Sequence, residues 1–397
     1  RRVLLVLLGL VIVFLVCRLM LNLSAVGHAL SSMVGALRSI VLGCVMAYLL
    51  YPLTRFAEQF LLFHHVKPKS ARTLSTAFST IVLLTLIFLF AYFIIPQMVV
   101  NLPPLIQGLP EMIQSFSKNL SDFLAQSLLP TTDLVMDRQE KKKQVKFFTN
   151  PELCDITEDL VLTEPYLAQP MNPRNKNIVT PGNEDFVREH LYEDEALHAE
   201  VAALRNGFMN NAQALIHGDL HSGSIFANEQ GIKVIDPEFA FYGPMGYDIG
   251  NVIGNLFFAW ANKAYTGGSA ETQAALEQTI RETCDKTAEK LAAEYDKLVK
   301  FPLYRAPAFR KAYLDGVMAD SYGYAGTEII RRVVGDSKVM EVTSVTDPAQ
   351  RLPMERALID LGIYLIKNRA GGLNGAAVTE EFRKILAEGR GTHGQNG

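Results

Sequence analysis

Between Thr73 and Pro110 the chain carries no charged side chain, and Ala77 to Ile95 is apolar enough to span a bilayer alone. Two further runs precede it. Val3 to Cys17 lies between Arg1, Arg2 and Arg18, and reaches the roughly 20 residues of a span only by continuing through Leu19 to Val26 with Arg18 snorkelling or facing other helices. Ser39 to Thr54 is uncharged and bounded by Arg38 and Arg55. A cleaved signal peptide would account for the first run, but no small-x-small site follows it. The stretch from Arg55 to Arg72, read as a loop, holds Lys67, Lys69 and Arg72; the positive-inside rule puts it and the N-terminus in the cytoplasm, so that the third span exits on the far face.

Charge divides the chain the same way. Residues 1–130 hold nine basic and three acidic side chains, and the remainder holds 29 and 38. The net charge of −3 excludes a nucleic-acid binder driven by bulk charge. Four scattered cysteines (Cys17, Cys44, Cys154, Cys284) exclude a disulfide scaffold and a cysteine zinc site. After Pro96, Leu102, Leu105, Ile106, Leu109, Met112, Ile113, Phe116, Leu120, Phe123 and Leu124 recur at helical spacing, in a stripe expected to break at Pro103, Pro104 and Pro110. It suits a membrane surface, other spans or an ordinary core. Three spans, the basic loop, Ile95-Pro96 and Leu102-Pro103-Pro104-Leu105 together resemble the start of the autoinducer-2 exporter-like permease family over residues 1–128. The resemblance carries over no transport residue.

From Thr131 the composition is globular. Lys141-Lys142-Lys143 reads as a solvated helix face, and Gln169 to Gly182, with three prolines, as a loop. Val187, Leu191, Leu197, Val201, Leu204, Phe208, Ala212 and Leu215 mark one long amphipathic helix. It leads into Leu215-Ile216-His217-Gly218-Asp219-Leu220-His221-Ser222-Gly223-Ser224, a strand over Ile225 to Ala227, a turn over Asn228 to Gly231, a second strand over Ile232 to Ile235, then Asp236-Pro237-Glu238. The hairpin returns Asp236 to the neighbourhood of Asp219.

Phosphoryl transfer needs one carboxylate to orient and deprotonate the attacking hydroxyl, and another to hold the magnesium that neutralises the triphosphate. Asp219 suits the first role, and Asp236 with Glu238 the second. His217 is expected to brace the loop backbone, and His221 to be loop scaffold or site wall. Asp248 is expected to be a buried acceptor for loop amides. Two adjacent arginines, Arg331 and Arg332, in an otherwise apolar helix should meet an anion or a carboxylate.

These residues resemble the aminoglycoside and choline kinase-like fold. Phe147 to Glu158, Leu215 to Phe226, Val234 to Pro244 and Glu328-Ile329-Ile330-Arg331-Arg332 resemble the S-methyl-5-thioribose kinase family, over residues 131–390. That family phosphorylates the 1-hydroxyl of methylthioribose with ATP in methionine salvage. The resemblance implies ATP and Mg2+, with Asp219 on the sugar hydroxyl and Asp236, Pro237 and Glu238 at the metal-nucleotide. It places Arg331 and Arg332 on the substrate and the developing charge, and implies a homodimer and a cytoplasmic enzyme. Ser224 stands where the wider fold has a metal-binding Asn, so it is left unassigned.

The expected fold class is mixed: N-terminal transmembrane α-helices over 1–130, then a mainly α-helical protein-kinase-like C-lobe over 131–397, with a short β-hairpin carrying the metal site. Before residue 145 the glycines are Gly9, Gly27, Gly35, Gly43 and Gly108, and none forms a phosphate-cradling loop. No lysine there sits in a strand-like run before an acidic helix. The expectation is a chimera, placed in the membrane and lacking the nucleotide lobe, that turns over methylthioribose poorly or not at all. The alternative is a truncated membrane transport protein.

Overall fold

The computed structural model describes residues 48, 50–168, 177–228 and 231–391. The run Val3 to Cys17, most of Ser39 to Thr54, residues 169–176 of the expected loop and Glu229-Gln230 of the hairpin turn lie outside the described residues. Packing divides the chain into two units, Arg1–Ile106 and Gln107–Gly397.

In the first unit, helix α1 (50–63) and the start of α2 (Pro68–Leu128) are joined by a short turn with His65 in the left-handed region. The stretch read as a loop from Arg55 to Arg72 is therefore mostly helix, because Pro68 suits a first helical turn, where its missing amide costs nothing. Ala71, Ser75 and Ser79, four residues apart, form a buried face of small side chains, and Thr54 donates to Ser79 Oγ at 2.8 Å. Among the described residues one helical window, Pro68–Phe90, is long and apolar enough to cross a membrane, with a mean hydropathy of 2.1. The breaks expected at Pro103, Pro104 and Pro110 do not occur. An interior proline forfeits one amide bond, about 3 kcal/mol, but the helical backbone continues through all three.

The second unit begins earlier in the chain than Thr131. Leu120, Leu124 and Leu128, from the last turns of α2, are buried in its core, each stabilising it by roughly 1.5–3 kcal/mol. Beside them Ser121 meets Thr287 at 3.0 Å, Ser117 accepts from Thr283 at 3.2 Å, and Asp122 pairs with Lys290 at 2.8 Å, the three partners lying on the helix over Ala270–Leu298. The end of the apolar stripe is thus a core stripe of the globular unit.

Next come α3 (Arg138–Phe147), α4 (Pro151–Leu162) and α5 (Glu195–Asn210). On α3, Lys142 and Lys143 are exposed but Lys141 is buried, contrary to the solvated face expected for the run. Its ammonium exchanges water for the carbonyls of Thr131 (3.0 Å) and Gln213 (2.8 Å) and the face of Tyr242, 4.0 Å away. Burial pushes this amine down to about 8. The single helix expected from Val187 to Leu215 is also divided. A turn over Glu184–Val187 runs into a wide π turn over Arg188–Tyr192, and α5 starts afresh because Asp194 caps it, accepting from the Leu197 amide at 3.0 Å. Ala212 lies beyond its end, and Leu215 belongs to a strand.

Among the described residues there are four strands, paired as two antiparallel ribbons: β1 (Ala214–Ile216) with β4 (Phe241–Gly243), and β2 (Ile225–Asn228) with β3 (Gly231–Val234). Helices α6 (Met245–Tyr265), α7 (Ala270–Leu298), α8 (Pro307–Val334), α9 (Pro348–Asn368) and α10 (Gly375–Gly391) complete the lobe. α6 and α8 form its axis. Gly246, Gly250 and Gly254, one turn apart, let the two backbones approach so closely that a Cβ on Gly250 would lie 2.6 Å from the Ser321 carbonyl oxygen. That approach carries the C-terminal turn of α8 to the loop after β1.

Candidate active site

β1 delivers His217-Gly218-Asp219, and backbone contacts fix the loop. Gly218 has φ +84, and a Cβ there would sit 2.3 Å from the Phe239 carbonyl oxygen, so only glycine fits against the chain just after Glu238. The buried carboxylate of Asp248, in the first turn of α6, accepts the amides of His217 at 2.7 Å and Gly218 at 3.0 Å. Burial nonetheless pushes its carboxyl up to about 6, against the two amides that favour the ionised form. His217 Nε2 lies 2.9 Å from the Ile235 carbonyl, and the Asp219 amide donates to Nδ1 at 3.4 Å. These contacts select the tautomer with its proton on Nε2 and tie the two loops together.

Asp219 is partly exposed. Arg331 Nη2 lies 3.1 Å and Arg332 Nη2 3.5 Å from its Oδ1, and His221 Nε2 lies 3.7 Å from its Oδ2. Behind the arginines stands Glu328, fully buried, which accepts Arg331 Nε at 2.6 Å, Arg332 Nε at 2.8 Å and Asn255 Nδ2 at 3.1 Å. Glu328 occupies the inner edge of both guanidinium groups and leaves their outer nitrogens directed at Asp219. Burial would raise the Glu328 carboxyl, but Arg331 and Arg332 outweigh it and hold it at about 2. Arg331 is raised despite its own burial, chiefly by Glu328. Burial lowers the His221 imidazole, with Asp219 acting in the opposite sense. Its Nδ1 accepts from the Gly223 amide at 3.0 Å, which leaves the Nε2 proton facing Asp219 and the Ser224 hydroxyl, 3.3 Å away.

Asp236 follows β3 in the left-handed region, φ 65, and Pro237 opens a 3-10 turn that carries Glu238. Both carboxylates are exposed, and among the described residues neither makes a hydrogen bond or ion pair. The backbone beneath them is held by Asn150, whose Nδ2 donates to the Glu238 carbonyl at 2.7 Å. Asp219, Arg331 and Arg332 are thus in direct contact, and His217 and Asp248 hold their loop. The segment that carries Asp236 and Glu238 meets that group at the Ile235 carbonyl, against the His217 ring, and at the Phe239 carbonyl, against Gly218.

Three contributors escape sequence reasoning. Glu328 reads as one more helix glutamate, although its spacing of three and four from the arginine pair is a usable signal. Asn255 and Asn150 carry no signal. Among the described residues no three His, Cys, Asp or Glu side chains converge as a metal cage. The chemistry of Asp236 and Glu238 still suits Mg2+, which takes one or two carboxylates and completes its shell with water and substrate phosphates.

Comparison with known proteins places the chain near known phosphotransferases. Residues 149–286 match the phosphotransferase enzyme family. The methylthioribose kinase of Erwinia tasmaniensis is 40% identical over 250 residues, covering 62% of this chain and 61% of that protein. The enzyme of the same name from Geobacillus thermodenitrificans is 37% identical over 276 residues, 68% of this chain and 65% of its own length. That of Pectobacterium carotovorum is 38% identical over 250 residues, 62% of this chain and 61% of its own. The chain therefore spans a little over six-tenths of the length of these relatives. The mainly helical second unit carries the kinase-like fold of that phosphotransferase family.

Proposed function

We propose that the second unit is a phosphotransferase site of the S-methyl-5-thioribose kinase type, moving the γ-phosphoryl group of ATP to the 1-hydroxyl of methylthioribose. The observation that carries this reading is the division of labour between carboxylates: Asp219 faces two arginines, whereas Asp236 and Glu238 have no side-chain partner among the described residues. Asp219 accepts the proton of the attacking hydroxyl and orients it. Arg331 and Arg332, whose outer nitrogens point into the site, are placed to meet the charge that develops on the transferred group. Asp236 and Glu238 would hold the divalent cation, which when bound neutralises the triphosphate. The test is transfer of labelled γ-phosphate to methylthioribose, together with separate binding assays for the sugar and for the nucleotide. Transfer that falls to background in Asp219→Asn supports the reading, and transfer equal in the two proteins overturns it.

A second reading concerns the first unit. In the Pro68–Phe90 window Phe78, Ile81, Leu84 and Phe88 are all half exposed or more, as expected of a helix seated in a lipid bilayer. The permease-like identity of this unit rests on the sequence pattern. Recovery of the full chain with membranes supports the bilayer contact, and a detergent-free soluble monomer contradicts it.

A further inference from the structure

At the Ala212 end of β1, away from Asp219, the second unit holds a cavity of about 760 Å³ between α3 and the segment after α7. The volume suits a small organic ligand, for which pockets run roughly 300–1,000 Å³. Its body is apolar and partly aromatic. Val145 and Leu298 line it with Phe301 and Tyr304, whose ring centroids are 5.2 Å apart at 56°. Phe301 is 48% exposed, which leaves its ring open to a ligand in the cavity.

The charges are unbalanced in a way that selects for sign. Arg138, Lys142 and Lys300 also line the cavity. Among the described residues Arg138 and Lys142 make no ion pair, and Lys300 donates only to a backbone carbonyl, that of Lys297. Asp133 and Asp137 line the cavity as well, so its four cations outnumber its two carboxylates, and both carboxylates are already hydrogen-bonded within the chain. Asp137 accepts the Gln139 and Glu140 amides as the cap of α3, and Asp133 accepts from the Tyr304 hydroxyl at 3.4 Å. Lys141 contributes its stem but not its charge, since its ammonium is held by the carbonyls of Thr131 and Gln213. We infer that this cavity binds an organic anion with a flat aromatic body and a phosphate, sulfonate or carboxylate head. The body would lie on Phe301 and Tyr304, and the head would be met by Arg138, Lys142 and Lys300.

The inference is independent of the phosphotransfer reading, since the cavity shares no residue with that site. The probe is 1-naphthyl phosphate, titrated into the full chain and followed by its fluorescence and by calorimetry. Saturable one-to-one binding is expected. It should weaken at least ~10-fold in Phe301→Ala and in Arg138→Glu/Lys142→Glu, a loss of about 1.4 kcal/mol or more. All three positions are exposed, so the variants should melt like the wild type. Inorganic phosphate at the same concentration should not displace the probe, and Asp236→Ala should bind it unchanged. Non-saturable uptake, or equal affinity in the charge-reversed variant, would overturn the inference. So would loss of binding in Asp236→Ala, which would assign the probe to the phosphotransfer site.

Discussion

The loop after β1 and the turn after β3 both present carboxylates at one end of the lobe, yet they are built in opposite ways. Asp219 is matched inside the protein: two arginines face it, a buried glutamate fixes the arginines, and Asp248 anchors the loop beneath. Asp236 and Glu238 stand in solvent on a backbone held by Asn150, with no side-chain partner among the described residues. A carboxylate compensated internally is held in one place, as suits work on a neutral hydroxyl. A pair left uncompensated is matched only when a cation arrives. The contrast supports the roles proposed for the two loops.

The largest break in that contrast should come from Asp219→Asn. The amide keeps the shape but accepts no proton, so the transfer rate should fall by roughly a hundred- to ten-thousandfold while methylthioribose still binds. A variant with unchanged single-turnover rate would remove Asp219 from the chemistry.

Next is the clamp. Glu328→Ala leaves two arginines with half their compensation in a buried site, and should lower stability by about 3–5 kcal/mol, read as the urea midpoint of the second unit. Stability within 1 kcal/mol of wild type would show that water replaces the carboxylate freely.

The same group sets an acid limit. The folded carboxyl of Glu328 sits at about 2, below its ordinary 4.5. Its contribution of about 3 kcal/mol is therefore complete above pH 4.5 and is lost as pH falls toward 2. Asp248 acts in the reverse sense. Its folded value of about 6 exceeds the ordinary 3.8, so its share of stability falls as pH rises from 3.8 through 6. Asp248→Asn should flatten stability over that interval, and an unchanged slope would contradict the assignment.

How much of this was legible depended on whether the partners are close in sequence. The hairpin that joins the two carboxylate loops was legible in the chain, because Gly231 with the alternating Ile232 and Val234 announces it. The arginine pair was legible as an anomaly in an apolar helix. Glu328 was not, because its burial depends on Gly250 and Gly254 drawing α6 against α8. Lys141 was hidden within a charge run, since only tertiary contact distinguishes it from Lys142 and Lys143. The unbroken periodicity from Val187 to Leu215 concealed the cap at Asp194, as apolar spacing carries no information on where a carboxylate intercepts an amide.

The smallest expected effect is also informative. Among the described residues Glu238 has no side-chain partner, so Glu238→Ala should leave stability within about 0.5 kcal/mol of wild type in the absence of ligand. Asp236→Ala, in contrast, puts an alanine in the left-handed region and should cost up to about 1–2 kcal/mol. A larger loss by thermal melting would mean that these carboxylates serve the fold.

The most direct test of the contrast between the two loops is the binding of Mn2+ in the presence of a non-hydrolysable ATP analogue, followed by electron paramagnetic resonance. Binding should be lost in Asp236→Ala and kept in Asp219→Asn, whose carboxylate is committed to Arg331 and Arg332. Equal binding in wild type and Asp236→Ala, or loss confined to Asp219→Asn, would contradict the division of roles between the two loops.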